Sequence, residues 1–526
     1  MSNFNSRYRW LLLSLFTLVF FITRIDRLGT DAINPDGVNW HYRSEQFVVG
    51  LKTGQFEKTY QHYHPGVTLM WIAGPAVEIV KQLYPEESTY NHYNFSVFHF
   101  VAKYALVVVQ LILSIITIYL LSKIWVSDGF KGFVRSIAVV SLFSFEPFFL
   151  GNSRLLHMDV LFTLFLFNGL LLAYLNLLKF RWVMGASAGV FMGLAFLTKS
   201  IGVGGILFAS LAGGAYVFYR IGFKPALKYF LSLAFPFVAT IFALFPALWV
   251  EPVSVIKDIF LEGERIGIRD GHGQIILGEY TRDAGYSFYP LVLLMKVSPV
   301  VWAGILLLLY VCVIKIRNNI KANSMRLGSA LLCLREDKIW TFLFAFFFSY
   351  LLVMSVPSKK IDRYMLPLFP FMALSAVLGF EQFRIRYFYR LMILAVLLVI
   401  ISSCLFHPYQ FTYTSPLFGS TDNANKIIAQ KPFGIGIPEL KEKIIEKYGY
   451  YPRVGFIDTK PMRAIYMNSR IFDIRVNGSS DYDLLILGIN EEIPEKVLTS
   501  GTVFEKDESV YMNGLEYWRI YVKKVD

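Results

Sequence analysis

Residues 6–27 read SRYRWLLLSLFTLVFFITRIDR, and this stretch decides the class of fold. Its apolar core lies between basic flanks and approaches the roughly 20 residues with which a helix crosses the hydrocarbon of a bilayer. No small-residue cleavage site follows the core, so we interpret the stretch as a retained first helix and not as a signal peptide. The chain is therefore expected to enter a membrane with its first segment.

The rest of the chain repeats this pattern. Of the 526 residues, 55% are hydrophobic and only 17% are charged, whereas about 25% of the residues in soluble domains are charged. Apolar stretches of spanning length recur and predict an α-helical polytopic membrane protein with about eleven transmembrane helices. The candidate spans are 9–25, 97–122, 134–151, 159–178, 183–198, 201–219, 227–249, 290–314, 339–356, 364–380 and 389–406.

Charges in the short connections orient these helices. The positive-inside rule places loops rich in Lys and Arg on the cytoplasmic side. With a cytoplasmic N-terminus, that side of the plasma membrane receives Arg7, Arg9, Lys123, Lys131, Arg135, Lys179, Arg181, Arg220, Lys224, Lys228, Lys315, Arg317, Lys321, Arg326, Arg335, Lys338, Arg384, Arg386 and Arg390. The short outer connections carry only a few basic residues. The net charge of +13 therefore follows from topology and does not indicate a nucleic-acid ligand.

This orientation divides the chain into two predicted domains. Residues 1–406 form the transmembrane domain with long outer loops at 26–96 and 250–289, and residues 407–526 form a small extracytoplasmic α/β domain. Within the second domain, residues 436–449 have helical spacing, 482–488 indicate a buried strand, and Asn513-Gly514 between alternating runs is typical of a type I′ hairpin.

One apolar segment is not counted as a span. Residues 65–83 are interrupted by Gly74 and Pro75, so amphipathic helices lying at the membrane surface fit this segment better.

Ionisable residues gather at the outer ends of several predicted helices. They are Asp36, His62, His64, Arg154, Asp159, Lys199, Lys359, Lys360 and Arg363, with Tyr364 beside the last of them. Long basic side chains often sit at membrane boundaries, since their charged ends reach water while their stems stay in lipid. Basic residues in short outer loops are nevertheless disfavoured by the topology rule, and their presence there indicates an anionic ligand on that side.

The order of these motifs resembles a known family. The matching residues are Asp36, His64-Pro65, Arg154 with Asp159, Leu197-Thr198-Lys199, and KIDRYMLPLFP from Lys360 to Pro370. Residues 271–299 and 407–420 also fit, so the resemblance covers the chain from end to end. The pattern looks like the GT-C membrane glycosyltransferases, and within them the protein-mannosyltransferase-like and lipid A aminoarabinose-transferase-like branch.

The resemblance implies a polyprenyl-phosphate-sugar-dependent glycosyltransferase that moves a hexosyl or pentosyl group to a hydroxyl of a lipid, protein or glycan acceptor. Asp36 would be the general base. Lys199, Arg363 and one of Lys359 or Lys360, with His64 and Tyr364, would bind the donor phosphate, whose negative charge grows as it leaves. Direct displacement implies inversion at the anomeric carbon.

Two departures from the family pattern affect single residues. Many relatives have Lys-Pro where this chain has His64-Pro65, so a phosphate contact by His64 would depend on its protonation. Relatives often have Asp-Glu where Asp36 is followed by Gly37. The sequence therefore establishes no cofactor, although it leaves room for a divalent metal. Asp31 and Glu45 are the alternative candidates for the base.

Simpler interpretations stand beside these. Asp36 could be a turn residue, His64 a helix cap, and Tyr364 an interfacial anchor. Arg154 and Asp159 could orient the active-site loops or form a structural pair at a helix start. His157 shows no ligand spacing and is interpreted as structural.

Two other function classes compete with the enzyme. A transporter or flippase would place charges near the membrane midplane and contain repeated halves. No repeat is visible, and Glu146 before Pro147 is the one charge inside a span that suits this class. A non-catalytic cell-envelope assembly protein would use residues 407–526 to bind partners.

Overall fold

A computed structural model describes residues 2–87, 90–266, 273–323, 338–382 and 385–524. Three of the basic residues assigned to the cytoplasmic side lie outside the described residues: Arg326, Arg335 and Arg384.

The described part of the chain is mainly helical. Its α-helices are α1 (Ser2–Ile25), α2 (Pro35–Thr53), α3 (Val67–Leu83), α4 (Phe95–Ile124), α5 (Gly129–Phe145), α6 (Pro147–Ser153), α7 (Asp159–Leu178), α8 (Trp182–Thr198), α9 (Val203–Ile221), α10 (Phe223–Leu244), α11 (Ala247–Val250), α12 (Pro252–Glu264), α13 (Phe288–Lys296), α14 (Pro299–Asn323), α15 (Lys338–Ser355), α16 (Phe369–Phe380), α17 (Ile385–Leu405), α18 (Thr421–Ile427), α19 (Ile437–Tyr448), α20 (Lys460–Ile465) and α21 (Glu495–Leu498). A 3₁₀ segment, Asp362–Leu368, precedes α16.

Seven segments in the described part are long and apolar enough to cross a membrane: Ser6–Ile25, Phe95–Ile124, Asp159–Leu178, Ser200–Ile221, Phe223–Leu244, Asp362–Phe380 and Tyr387–Leu405. The number rises to nine if two bent helix pairs each form one span. Two shorter apolar helices, Trp182–Thr198 and Thr341–Ser355, coincide with the remaining predicted spans. The structure thus confirms a polytopic helical membrane protein whose apolar helices follow the predicted order.

The two bent pairs meet at Glu146. Helices α5 and α6 are bent by 73° at this residue, and α13 and α14 are bent by 114° at residues 297–298. The buried Glu146 carboxylate accepts hydrogen bonds from the backbone N–H of Ser298 at 3.1 Å and from its hydroxyl at 2.5 Å. Glu146 therefore caps the start of α14, which satisfies a donor that a helix terminus leaves free. This capping role explains why Glu146 lies inside a predicted span, the feature that suited a transporter.

Residues 65–83 form a single helix. Helix α3 runs through Pro75 without a break in the helix, and it packs against α2. The expected interruption at Gly74 and Pro75 is therefore wrong. Gly74 is used instead for close packing, because a Cβ there would lie 3.1 Å from the backbone oxygen of Ser44 in α2.

A five-stranded mixed sheet follows the last long helix. Strands β1 (Gln274–Ile276) and β2 (Glu279–Thr281) form a separate small hairpin. The five strands are β3 (Val454–Phe456), β4 (Ile471–Asp473), β5 (Leu484–Gly488), β6 (Phe504–Met512) and β7 (Leu515–Lys523), in the order β4-β3-β5-β7-β6. Strands β3, β4 and β5 are parallel, and β5, β7 and β6 are antiparallel.

The local predictions for this region are confirmed. Helix α19 falls within 436–449 and strand β5 within 482–488. Asn513 and Gly514 join β6 to β7 with φ of 50° and 82°, and a type I′ turn requires positive φ at both positions.

The loop 432–436 brings the sheet region onto the segment before α2, the helix that carries Asp36. The backbone N–H of Ile33 donates to the carbonyl of Gly434 at 3.2 Å. Gly434 has φ of 71°, and a Cβ on it would lie 1.9 Å from the Ile33 carbonyl oxygen. Position 434 therefore requires glycine, both for its positive φ and for its lack of a side chain. The close approach brings the sheet region into contact with the segment just before Asp36.

Candidate functional site

Asp36 lies in the first turn of α2. Asn34 precedes this helix in an extended conformation and Pro35 takes its first position, where a fixed φ and a missing N–H cost nothing. The positive end of the helix dipole favours a carboxylate in this turn. The Asp36 side chain is 40% exposed, so it is held by the protein and still reachable by a ligand.

The residues of the resemblance converge on two carboxylates. Arg363, in the 3₁₀ segment before α16, donates through Nη2 to Asp36 Oδ2 at 2.8 Å, and its Nε lies 3.0 Å from Asp159 Oδ2. Lys199, after α8, donates to Asp159 Oδ1 at 2.7 Å. Asp159 and Lys199 are buried, and Arg363 is nearly so. The predicted cations therefore meet at one point, although they are far apart in the sequence.

His157 belongs to the same cluster, and sequence reasoning missed it. Its Nε2 lies 3.4 Å from Asp36 Oδ2 and its Nδ1 lies 3.0 Å from Asp159 Oδ2, so the ring bridges the two carboxylates. The interpretation of His157 as structural did not place it in this cluster, and its role stays a prediction. The available signal was its position two residues before Asp159, within the motif NSRLLHMD.

Arg43 is a second residue that was missed. It lies seven residues after Asp36, which puts both on one face of α2. Its guanidinium carbon stacks 4.6 Å from the ring centre of Trp40. Burial lowers the pKa of Arg43, and the negative charge of Asp36 partly offsets this effect.

The cations around Asp36 determine its charge. Burial by itself raises the pKa of a carboxyl group, yet the hydrogen bond from His157 and the charge of Arg363 outweigh it. Together they hold the pKa of Asp36 well below its usual range. Asp36 is therefore ionised at neutral pH.

Tyr364 and His64 lie on the Lys199 side of the cluster. The Lys199 ammonium sits 3.9 Å from the centre of the Tyr364 ring, which is a cation–π contact. The Nδ1 atom of His64 lies 3.3 Å from the hydroxyl oxygen of Ser200. Burial and the charge of Lys199 hold the pKa of His64 well below its usual value, so its ring is neutral at pH 7.

The structure separates Lys359 from Lys360. Lys360 is buried, pairs with Asp283 at 3.0 Å and donates to the Pro357 carbonyl at 2.9 Å. Lys359 instead lines the cavity beside Asp36. Of the two alternatives for the phosphate contact, Lys359 is the one with access to a ligand.

Arg154 does not pair with Asp159. Its Nη2 lies 2.9 Å from Asp31 Oδ2, and it also donates to the carbonyl oxygens of Thr23 and Asp26 at 3.0 and 2.6 Å. The structural pair proposed for Arg154 and Asp159 is therefore wrong. Arg154 fixes the end of α1 and the loop that leads to Asp36.

The alternative bases are engaged elsewhere. Asp31 is buried between Arg154 and Lys103, and both cations contact its carboxylate. Glu45 is paired with Lys81 at 2.6 Å. Neither lines the cavity at which Asp36 lies, so the geometry favours Asp36.

A cavity of about 580 Å³ opens beside the Asp36–Arg363 pair. Lys359 and Arg363 line one side of it. Residues of the sheet region, among them Lys431, Asp458 and Glu491, line the other. Among the described residues, no three His, Cys, Asp or Glu side chains are grouped as a metal site. The carboxylates of the cluster face Arg363 and Lys199 instead.

Comparisons with known proteins agree with this architecture. No protein-family model and no curated protein matches the sequence. Among solved structures, ArnT from Cupriavidus metallidurans in the apo state matches with 11% identity and a TM-score of 0.52, over 99% of this chain and 98% of that chain. ArnT from the same organism bound to undecaprenyl phosphate matches with 11% identity and a TM-score of 0.49, over 98% of each chain. The apo oligosaccharyltransferase from Archaeoglobus fulgidus matches with 10% identity and a TM-score of 0.45, over 93% of this chain and 70% of that chain. The apo ArnT match shows that the chain has a GT-C fold along its whole length, which confirms the predicted fold class.

Proposed function

We propose that this protein is an inverting glycosyltransferase that moves a sugar from a polyprenyl-phosphate donor to an acceptor hydroxyl at the outer face of the membrane. The observation that carries the proposal is the position of Asp36. An ionised and partly exposed carboxylate stands at the mouth of a cavity, in contact with a cation that is suited to a phosphate. The donor class comes from the resemblance of the motifs to the GT-C enzymes.

In the proposed reaction, the acceptor oxygen attacks the anomeric carbon while the bond from that carbon to the phosphate oxygen breaks. The acceptor proton passes to Asp36, acting as general base. The phosphodiester becomes a phosphate monoester and gains negative charge. Arg363 and Lys359, which line the cavity, would stabilise that charge together with Lys199, which is buried on Asp159, and a single displacement would invert the anomeric carbon.

Asp159 would position the cations of this site. It holds Lys199 at 2.7 Å and lies 3.0 Å from Arg363 and from His157, while it is itself buried and out of reach of a ligand. A buried carboxylate between two cations fixes their geometry before the substrate binds, which reduces the cost of ordering them in the reaction.

The proposal includes the topology expected from the charge pattern. The N-terminus would be cytoplasmic, and the loops 26–96 and 250–289 would lie outside together with the domain formed by residues 407–526. The donor's isoprenoid tail would stay in the bilayer while its head group reaches the cluster.

The test is Asp36→Asn in cells that depend on the protein. Mass spectrometry of lipid-linked sugars in a deletion strain would identify the donor as the species that accumulates, and the lost conjugate would identify the acceptor. We expect Asp36→Asn to leave the donor accumulated, because loss of a general base costs about 10²–10⁴ in rate. Asp26→Asn is the matched control, since Asp26 is an exposed carboxylate that pairs with His407 away from the cavity. Restoration of the conjugate by Asp36→Asn would refute the proposal.

A further inference from the structure

One wall of the cavity, formed by the sheet region, takes no part in the proposed reaction. Asp458 follows β3 and Glu491 follows β5, and these two strands are parallel neighbours in the sheet. The chain leaves β3 toward β4 on one side and leaves β5 toward β7 and β6 on the other. Such a switch point, at the carboxyl ends of parallel strands, forms the crevice in which open α/β sheets bind ligands. The crevice opens into the same cavity as Asp36.

The two carboxylates of this wall keep free acceptor atoms. Glu491 accepts from the backbone N–H of Gly488 through Oε2 at 2.7 Å, and Asp458 accepts from the N–H of Lys460 through Oδ1 at 3.3 Å. Within the described residues, the other oxygen of each carboxylate has no hydrogen-bond partner. A carboxylate is an acceptor, so the wall is built for a ligand that brings O–H or N–H donors.

The charges that line the sheet side of the cavity restrict the chemical class of ligand that can bind there. Two carboxylates, Asp458 and Glu491, and one ammonium, that of Lys431, line this wall, so its excess of negative charge disfavours an anion. A cation is disfavoured because Arg475 and Arg519 already offset part of the charge of Glu491. Phe456 and Trp518 add apolar surface to the same cavity. A neutral group with several hydroxyls and apolar C–H faces satisfies all of these features, and this is the chemistry of a carbohydrate.

We propose that Asp458 and Glu491 bind a carbohydrate acceptor and direct one of its hydroxyls toward Asp36. This inference rests on the proposed transferase function and specifies the acceptor of the same site. The donor phosphate would bind at Lys359 and Arg363, which line the cavity, with the buried Lys199 on Asp159 next to Arg363. The acceptor would bind on the sheet side, and Asp36 would lie between the two.

The experiment measures binding of the full-length protein to an array of neutral, amino and acidic oligosaccharides. The protein is held in lipid nanodiscs, because alkyl-glycoside detergents would compete for the site. We expect binding to neutral glycans, weakened about tenfold by either Asp458→Ala or Glu491→Ala, as for the loss of a hydrogen bond to a charged group. Glu492→Ala is the matched control, since Glu492 is the exposed neighbour of Glu491 and does not line the cavity.

Two further measurements make the outcome decisive. Glu491→Gln replaces Glu491→Ala if thermal unfolding shows that the alanine variant is not folded. Asp36→Asn is expected to weaken glycan binding less than Asp458→Ala or Glu491→Ala, because the amide oxygen of Asn still accepts a hydrogen bond from the acceptor hydroxyl. Absence of neutral-glycan binding, or binding that neither substitution weakens, would overturn the acceptor assignment even if Asp36→Asn stops transfer. Normal transfer by Asp36→Asn with intact glycan binding would refute the transferase proposal and leave a carbohydrate site.

Discussion

Arg363→Gln should change the pH dependence of transfer in a defined direction. Arg363 lies 2.8 Å from Asp36 and is one of the groups that hold the pKa of that carboxyl below its usual range. A group with a lowered pKa stays ionised until the pH falls through that low value. The decline of kcat/KM at low pH, called the acid limb of the profile, should therefore not arise from Asp36 between pH 5 and 8 in the wild type. Removal of the guanidinium charge should raise the pKa of Asp36 and move the acid limb upward.

The size of this change can be bounded from the structure. An Arg beside an Asp typically lowers the carboxyl pKa by about 1–3. Because the Asp36 side chain is 40% exposed, solvent screens part of the interaction, and we expect an upward movement of about 1–2 pH units. The contact between His157 and Asp36 remains in the Arg363→Gln variant, and it keeps the acid limb of the pH profile from moving further upward.

The assay is kcat/KM for transfer in proteoliposomes, with the donor identified by mass spectrometry. It runs from pH 2 to 8, because a lowered pKa that moves upward still lies at or below the ordinary range of a carboxyl group. Arg27→Gln is the control, since Arg27 is an exposed arginine that pairs with Glu439 and not with the cluster. The maximal rate of Arg363→Gln should also fall, by about 10²–10³, because one stabiliser of the leaving phosphate is lost. An acid limb at the same pH in Arg363→Gln and in the wild type would refute the assignment of Asp36 as the base.

Two further predictions concern the donor site and the loop that carries Asp36. Lys199→Ala should weaken binding of polyprenyl phosphate at least tenfold in a direct binding assay, because Lys199 neutralises the Asp159 carboxylate that also contacts Arg363, whereas Lys360→Ala, which alters a cation paired with Asp283, should change it little. Asp31→Asn should lower the thermal unfolding temperature in nanodiscs, because Lys103 and Arg154 would be left as buried cations with a neutral partner, and breaking a buried pair costs about 3–5 kcal/mol. An unchanged unfolding temperature would show that Asp31 does not hold the loop.

The sequence predicted the helices well because lipid imposes one requirement on all of them. A spanning helix must be long and apolar, and that requirement can be read from each segment alone. The breaks were harder to place. At the bend at 297–298, Ser298 donates to Glu146, which lies far from it in sequence and caps the start of α14. Periodicity within a segment contains no information about a partner in another helix.

The candidate site was predictable in its members and not in its pairings. Lys199 and Arg363 were found because basic residues in short loops of the predicted outer side violate the topology rule, whereas Asp36 was found through the resemblance to the GT-C motifs. Their arrangement around Asp159 could not be derived, since four separate elements must first pack to bring these side chains together. The same limit explains why a pair with the nearby Asp159 was one of the alternatives for Arg154, whereas its partner is Asp31.

The position of Arg363 connects the two halves of the proposed reaction. In the free protein its guanidinium is shared between Asp36 and Asp159. A donor phosphate that takes over part of this guanidinium would weaken its contact with Asp36, and the carboxylate would become a stronger base when the donor is in place. The acid limb of kcat, which reports the enzyme with bound substrates, should therefore lie at higher pH than the limb of kcat/KM. Coincident limbs in the two profiles would mean that Arg363 keeps its contact with Asp36 during donor binding, and the phosphate would then depend on Lys199 and Lys359 alone.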